Sequence, residues 1–153
     1  MILSKANQNI QRKKLFQLLK IDKHECKFIQ SKIISKKNFN KHTLENWLFY
    51  NTNNEKIPAY FIKPQEGKNF PTIVYCHAHG GNYKLGRKEL IYGRKSLLSE
   101  YASLLCSYGY AVMCIEMPCF GDRQIPNESS LTKSLSWYGK TLYGKMMSEL
   151  ISG

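Results

Sequence analysis

Two runs of strand-forming residues, TIVYC (72–76) and AVMCI (111–115), flank a segment with helical periodicity, and this alternation restricts the chain to few folds. A continuous run without polar alternation suits a strand covered on both faces rather than one facing water. Between the two, SLLSEYASLLCSYG sets Leu97, Leu98, Tyr101, Ala102, Leu104 and Leu105 at helical spacing, with Gly109 placed to end the helix. Strand, helix and strand in that order form a right-handed crossover within a parallel sheet. Both strand ends then lie on one rim, which brings His77–Gly81 beside Pro118–Asp122. Open α/β sheets bind ligands at such rims.

The remaining segments extend this unit on both sides. CKFIQSKIIS alternates as a strand, and TLENWLFYN and IPAYFIKP, joined by the turn-rich TNNEK, read as an antiparallel hairpin. After the loop CFGDRQIPNES, the apolar residues Leu131, Leu135, Tyr138, Leu142, Met146 and Leu150 recur at steps of three or four. That spacing predicts one helix despite Gly139 and Gly144. The expected class is α/β: an antiparallel hairpin followed by parallel strands with crossover helices. There is no internal repeat, low-complexity segment or obvious linker.

Charge divides the chain unevenly. Residues 1–42 hold 11 Lys and Arg against two acids, a net of +9, whereas residues 43–153 hold 12 against nine, a net of +3. A basic N-terminal extension, 1–42, is thus distinguished from the body, 43–153. Its helical segment QNIQRKKLFQLLKI is read as packing Ile10, Leu15, Phe16, Leu18, Leu19 and Ile21 on the body with a solvated basic face. The alternative is a basic helix on nucleic acid or an anionic membrane. No RNA-binding aromatic motif, helix-turn-helix spacing or zinc finger is present, so nucleic acid is not the expected partner. No apolar run approaches a membrane span. The start lacks the apolar core of a signal peptide, and a cytoplasmic location is expected. The five cysteines (Cys26, Cys76, Cys106, Cys114, Cys119) form no CxxC pair and read as reduced, mostly buried thiols. Arg87, Lys88, Arg94 and Lys95 read as surface charge, and Trp47 and Trp137 as core or pocket-lining aromatics.

The chemistry concentrates in HAHGG. Gly80 and Gly81 permit a sharp turn that brings backbone N–H groups close to a ligand, as an oxyanion site needs. A second reading pairs His77 and His79, which share a strand face, as metal ligands completed by Cys114, Glu116 or Cys119. A third takes Cys119 as a thiol nucleophile near His79. Neither carries a spacing that enforces it, and no metal or cofactor is expected.

IPAYFIKP, PTIVYCHAHGGNYKLGRKEL, YGYAVMCIEMPCFGDR and WYGKTLYGKMMSEL, in this order and spacing, resemble the N-terminal half of an α/β-hydrolase of the dienelactone hydrolase and acetyl xylan esterase-like group. The resemblance implies that His77, Ala78, His79, Gly80 and Gly81 form the oxyanion segment, with the His79 or Gly80 amide as donor. Ala78 stands where that family often has glycine, which is tolerated at negative φ. Glu116 at the strand end, with Cys119, Phe120, Gly121 and Asp122, is implied to shape the pocket floor.

The resemblance also implies a serine nucleophile on a G-x-S-x-G elbow, followed by an acid and a histidine. No such elbow occurs among these residues, and none of the four histidines follows a nucleophile and an acid in that order. The expectation is therefore a partial domain, 43–153, that ends before the elbow, from a truncated or split enzyme without activity of its own. At family level it acts on small-molecule carboxylic esters or related acyl bonds. The implied strand order leaves TIVYC at an open edge, where a C-terminal half chain or a second copy would pair. Outside this family, the alternatives are a basic nucleic-acid-binding or regulatory protein, or a ligand-binding module without catalysis.

Overall fold

The hairpin forms from β2 (His42–Asn51) and β3 (Lys56–Pro64), and its turn is built by Asn51. The Asn51 Oδ1 accepts from the backbone N–H of Asn53 at 3.0 Å and of Glu55 at 2.9 Å, while Asn54 takes the left-handed φ of 58° that asparagine tolerates. The computed structural model describes residues 4–153. Around the hairpin lie α1 (Lys5–Leu19), β1 (Phe28–Asn38), β4 (Thr72–Val74), α2 (Glu89–Tyr92), α3 (Tyr101–Ser107), β5 (Ala111–Ile115), α4 (Glu128–Trp137) and α5 (Leu142–Ser152). Short 3-10 turns cover Lys23–Glu25, Gly86–Lys88 and Gly121–Arg123.

Five strands make one sheet in the order β1-β2-β3-β5-β4. The first three pairings are antiparallel, and β4 and β5 run parallel with Thr72, Ile73 and Val74 opposite Ala111, Val112 and Met113. The crossover from β4 to β5 brings the two strand ends to one rim, as the alternation of segments predicts. Strand β5 is the centre of the core because its residues alternate between two covered faces. Val112 and Cys114 pack with Ile62, Leu90, Ala102 and Cys106 on the α2/α3 side. Ile115 and Met113 pack with Phe49, Ile57, Ala59 and Leu150 on the α5 side. A third cluster, Met117, Phe120, Leu142 and Met146, seats α4 and α5 under the rim. Each fully buried aliphatic side chain here contributes about 1.5–3 kcal/mol.

Several elements depart from the sequence expectation. TIVYC is not covered on both faces: β4 has only three residues, Thr72 and Val74 are exposed, and a single further bond, Tyr75 N–H to Met113 O at 2.8 Å, prolongs the pairing. It lies at the sheet edge, with β5 on one side. Leu97 and Leu98 do not belong to a helix. Serines 96 and 99 favour turns, Leu97 N–H closes one on Arg94 O, and α3 begins only at Tyr101, leaving Leu98 fully exposed. The continuous helix expected around Leu131–Leu150 is two helices. Gly139 at φ 67° ends α4, with Gly139 N–H donating to Ser136 O and Lys140 N–H to Leu135 O, so the 3.6-residue spacing runs through a break. Trp137 just before it is 87% exposed rather than core.

The N-terminal helix also differs: α1 buries none of its residues, and Ile10, Leu15 and Leu18 face outward. Its contact with the body is at its C-terminal end, where Thr141 Oγ1 donates to Leu19 O at 2.7 Å. Gly144 lies against the same carbonyl, since a Cβ there would come within 2.0 Å of Leu19 O. No helix among the described residues is long and apolar enough to cross a membrane.

Candidate active site

The rim is built around Glu116, the residue that follows β5. Its backbone N–H donates to Pro58 O at 2.7 Å, which fixes it to the hairpin, and its side chain is fully buried. A lone buried carboxylate is costly, and here it is paired. Glu116 Oε1 accepts from Arg87 N–H at 2.8 Å, and Oε2 accepts from Arg87 Nη1 at 2.5 Å and from Asp122 N–H at 3.4 Å. Arg87 Nη2 donates to Asp122 Oδ2 at 2.8 Å, and the guanidinium lies 4.6 Å from the centre of the Tyr60 ring. Burial opposes the Arg87 charge, the Glu116 carboxylate more than offsets it, and the Arg87 pKa is held above its ordinary value. Arg87 is thus not the surface residue expected from the sequence. The signal that finds it is Glu116 itself: an acid directly after a fully apolar strand requires a buried cation.

Two glycines make room for this carboxylate. A Cβ on Gly86 would sit 1.8 Å from Glu116 Oε1, and one on Gly121 2.0 Å from Oε2. The 3-10 turns 86–88 and 121–123 therefore close on Glu116 from opposite sides.

HAHGG follows β4 and adopts the turn expected of it. Gly80 and Gly81 take φ of 89° and 77°, and Ala78 keeps a negative φ, so an alanine is accommodated there. The Ala78 amide is consumed by Glu89, whose Oε1 and Oε2 lie 3.2 and 3.3 Å from it and which also accepts from Tyr75 OH at 2.6 Å. No acceptor among the described residues takes the amides of His79, Gly80 or Gly81. His77 is buried and its ring is used at both nitrogens. Nε2 accepts from Met117 N–H at 3.2 Å, so the proton resides on Nδ1, 3.2 Å from Ala78 O. Burial lowers its pKa, and the neutral tautomer means that the 3.8 Å approach to Glu116 is not an ion pair. With Nε2 occupied, His77 in this conformation offers no lone pair to a metal.

His79 instead points to the outer rim. Its Nε2 lies 3.5 Å from Glu128 Oε2, which Tyr83 OH also bonds, and its ring contacts Phe120 and Tyr143. Phe120, fully buried, touches His77, His79 and Tyr83. Cys119 has a φ of 74° and is buried beside a shallow depression of about 420 Å³ lined by Tyr83, Gln124, Asn127 and Glu128. Burial raises its thiol pKa, the opposite of what a nucleophilic thiolate requires. Asp122 pairs with Arg87. Arg123, which the sequence reading did not single out, grips Glu149 of α5 through two bonds of 2.6 and 3.0 Å and donates to Glu116 O at 2.8 Å.

The structure thus brings His77 and His79 against Phe120, with Met117 bonded to His77, and adds Arg87, Glu89 and Glu128 to the residues of the two rim segments. It offers a turn with free amides at a strand end, held in place by buried ion pairs.

No family model matches the chain. The protein named "Putative hydrolase YtaP" of Bacillus subtilis (strain 168) is 34% identical over 143 residues, which cover 92% of this chain and 48% of that protein. The crystal structure of a "putative acetyl xylan esterase" from Bacteroides fragilis superposes with a TM-score of 0.68 at 14% identity, over 92% of this chain and 40% of that one. The chain spans about half the length of the curated relative it matches.

Proposed function

We propose that this chain, which has the fold of the N-terminal half of an α/β-hydrolase, supplies the oxyanion side of an active site that hydrolyses carboxylic esters or related acyl bonds. The observation that carries this reading is the HAHGG turn: the Ala78 amide is tied to Glu89, and the next three amides are left without an acceptor. Attack on an ester carbonyl turns its oxygen into an oxyanion. Fixed N–H donors aimed at that oxygen stabilise the transition state more than the ground state. In this reading the His79 or Gly80 amide donates to the oxyanion, His77 anchors the turn, and Glu116, Cys119, Phe120, Gly121 and Asp122 form the floor.

The serine, the acid and the base are assigned to residues that are not among these 153, because no G-x-S-x-G elbow occurs in them. Oxyanion donors without an activated nucleophile retain only a small share of catalysis. These 153 residues by themselves are therefore expected to be inactive. The test is hydrolysis of a short-chain nitrophenyl ester together with a fluorophosphonate label. No turnover and no labelling are expected. Stoichiometric labelling of one residue with turnover would place a nucleophile within this chain and defeat the half-site reading.

A further inference from the structure

We infer that Arg87, Glu116 and Asp122 form a positioning device that presets the two rim loops before any ligand arrives, and that they are not simply a stabilising ion pair. The case rests on where the bonds fall. Five hydrogen bonds join the loop after β4 to the loop after β5: Met117 N–H to His77 Nε2 at 3.2 Å, Gly121 N–H to Tyr83 O at 2.8 Å, Arg87 N–H to Glu116 Oε1 at 2.8 Å, Arg87 Nη1 to Glu116 Oε2 at 2.5 Å, and Arg87 Nη2 to Asp122 Oδ2 at 2.8 Å. Three of the five run through Arg87.

Arg87 is also connected to the free amides through a short, closed path. Residues 78–89 form a ring that is shut by Glu89 on the Ala78 amide. Inside it, Asn82 N–H bonds Gly80 O, Leu85 N–H bonds Asn82 O, and Lys88 N–H bonds Leu85 O. Each turn is pinned to the next, so the position of Arg87 sets the position of Gly80. The glycines show how little slack remains: Gly86 and Gly121, at φ of 50° and 48°, leave no space for a Cβ beside the carboxylate. The Arg87 fork is spent on Glu116 and Asp122, and its Nε, buried, has no partner among the described residues. A guanidinium that sacrifices one donor to reach two loops at once is placed for geometry. Its catalytic consequence depends on the oxyanion role proposed above, but the positioning itself does not.

The test is amide hydrogen exchange, resolved by NMR, on the purified 153-residue chain. In Glu116→Gln, exchange at Ala78 and Gly121 is expected to accelerate about tenfold, while Phe61 and Ile62 in β3 keep their rates. Arg87→Lys, which keeps a charge and loses the fork, should loosen the same two amides. A uniform acceleration of all slow amides would mean general stabilisation and overturn the inference, as would unchanged rates at Ala78 and Gly121. Should Glu116→Gln fail to fold, Asp122→Asn removes only the half-exposed arm of the network. It should raise the same two rates about threefold, and no change there overturns the inference equally. None of these readouts needs turnover, so a failed esterase reading and a failed positioning reading give different results.

Discussion

At the scale of single residues, the glycines separate two kinds of constraint. Gly80 has φ 89° and open space around a hypothetical Cβ, so Gly80→Ala meets only backbone strain and is expected to cost about 1–2 kcal/mol. Gly86 has φ 50° and in addition the Glu116 carboxylate 1.8 Å from that Cβ, so Gly86→Ala must also break a buried ion pair and should cost about 3 kcal/mol or more. Urea denaturation of the two variants checks the order, and equal losses would contradict it. His77 gives a pH signature. Burial lowers its folded pKa below the ordinary 6.5, so only the unfolded chain takes up a proton as the pH drops through that value. Its contribution is complete above pH 6.5 and is lost as pH falls below it. His42 shifts in the same direction for the same cause. Stability measured from pH 7 to 5 should therefore fall less steeply in His77→Asn than in the wild type, with His42 supplying the remaining slope. HAHGG and CFGDR were legible as rim segments because glycines after apolar strands mark a rim. Arg87 was not, because a basic residue in a charged stretch looks like surface until its buried acid is seen.

Among the elements, the hairpin, β5 and the crossover follow from local pattern, since alternation and continuous apolar runs report directly on which faces are covered. Helix ends were legible only where a glycine stood alone after the last apolar residue, as Gly109 does. In α4 and α5 the apolar spacing survives the break, and the decisive fact is the left-handed φ of Gly139, which periodicity does not encode. This has a consequence opposite in sign to the single-helix reading. Within a helix, Gly139→Ala would stabilise by up to about 1 kcal/mol. At a helix end with φ 67° and nothing near the Cβ, it should instead destabilise by about 1 kcal/mol. A thermal melt decides between them by the direction of the Tm shift. The exposure of α1 was likewise not readable from its apolar residues. Its basic residues lie among Ile10, Leu15 and Leu18 all around the helix, and its seat depends on one carbonyl, Leu19 O, meeting Thr141 and the bare backbone of Gly144.

At the scale of the whole molecule, the sheet is closed on neither side, and its two edges differ. Strand β1 carries Lys32, Lys36 and Lys37 along eleven residues, and charges of this kind discourage edge-to-edge pairing. Strand β4 carries none: Thr72, Ile73 and Val74 present an unguarded backbone edge, with Val74 44% exposed. In an intact sheet of the proposed enzyme this edge would be paired by the strand that leads into the nucleophile elbow. Without that strand, the isolated chain is expected to associate through β4 rather than β1. Light scattering coupled to size exclusion should therefore show species larger than 17.8 kDa that grow with concentration. Val74→Lys adds a charge at an exposed position of the edge and leaves the Tyr75 N–H bond to Met113 O in place, so it should shift the chain toward monomer without lowering its melting temperature. Equivalent charge at Ile34, already exposed on β1, should change the association little. A wild-type chain that elutes as a monodisperse monomer across the concentration range would show that the β4 edge is protected by its own short length.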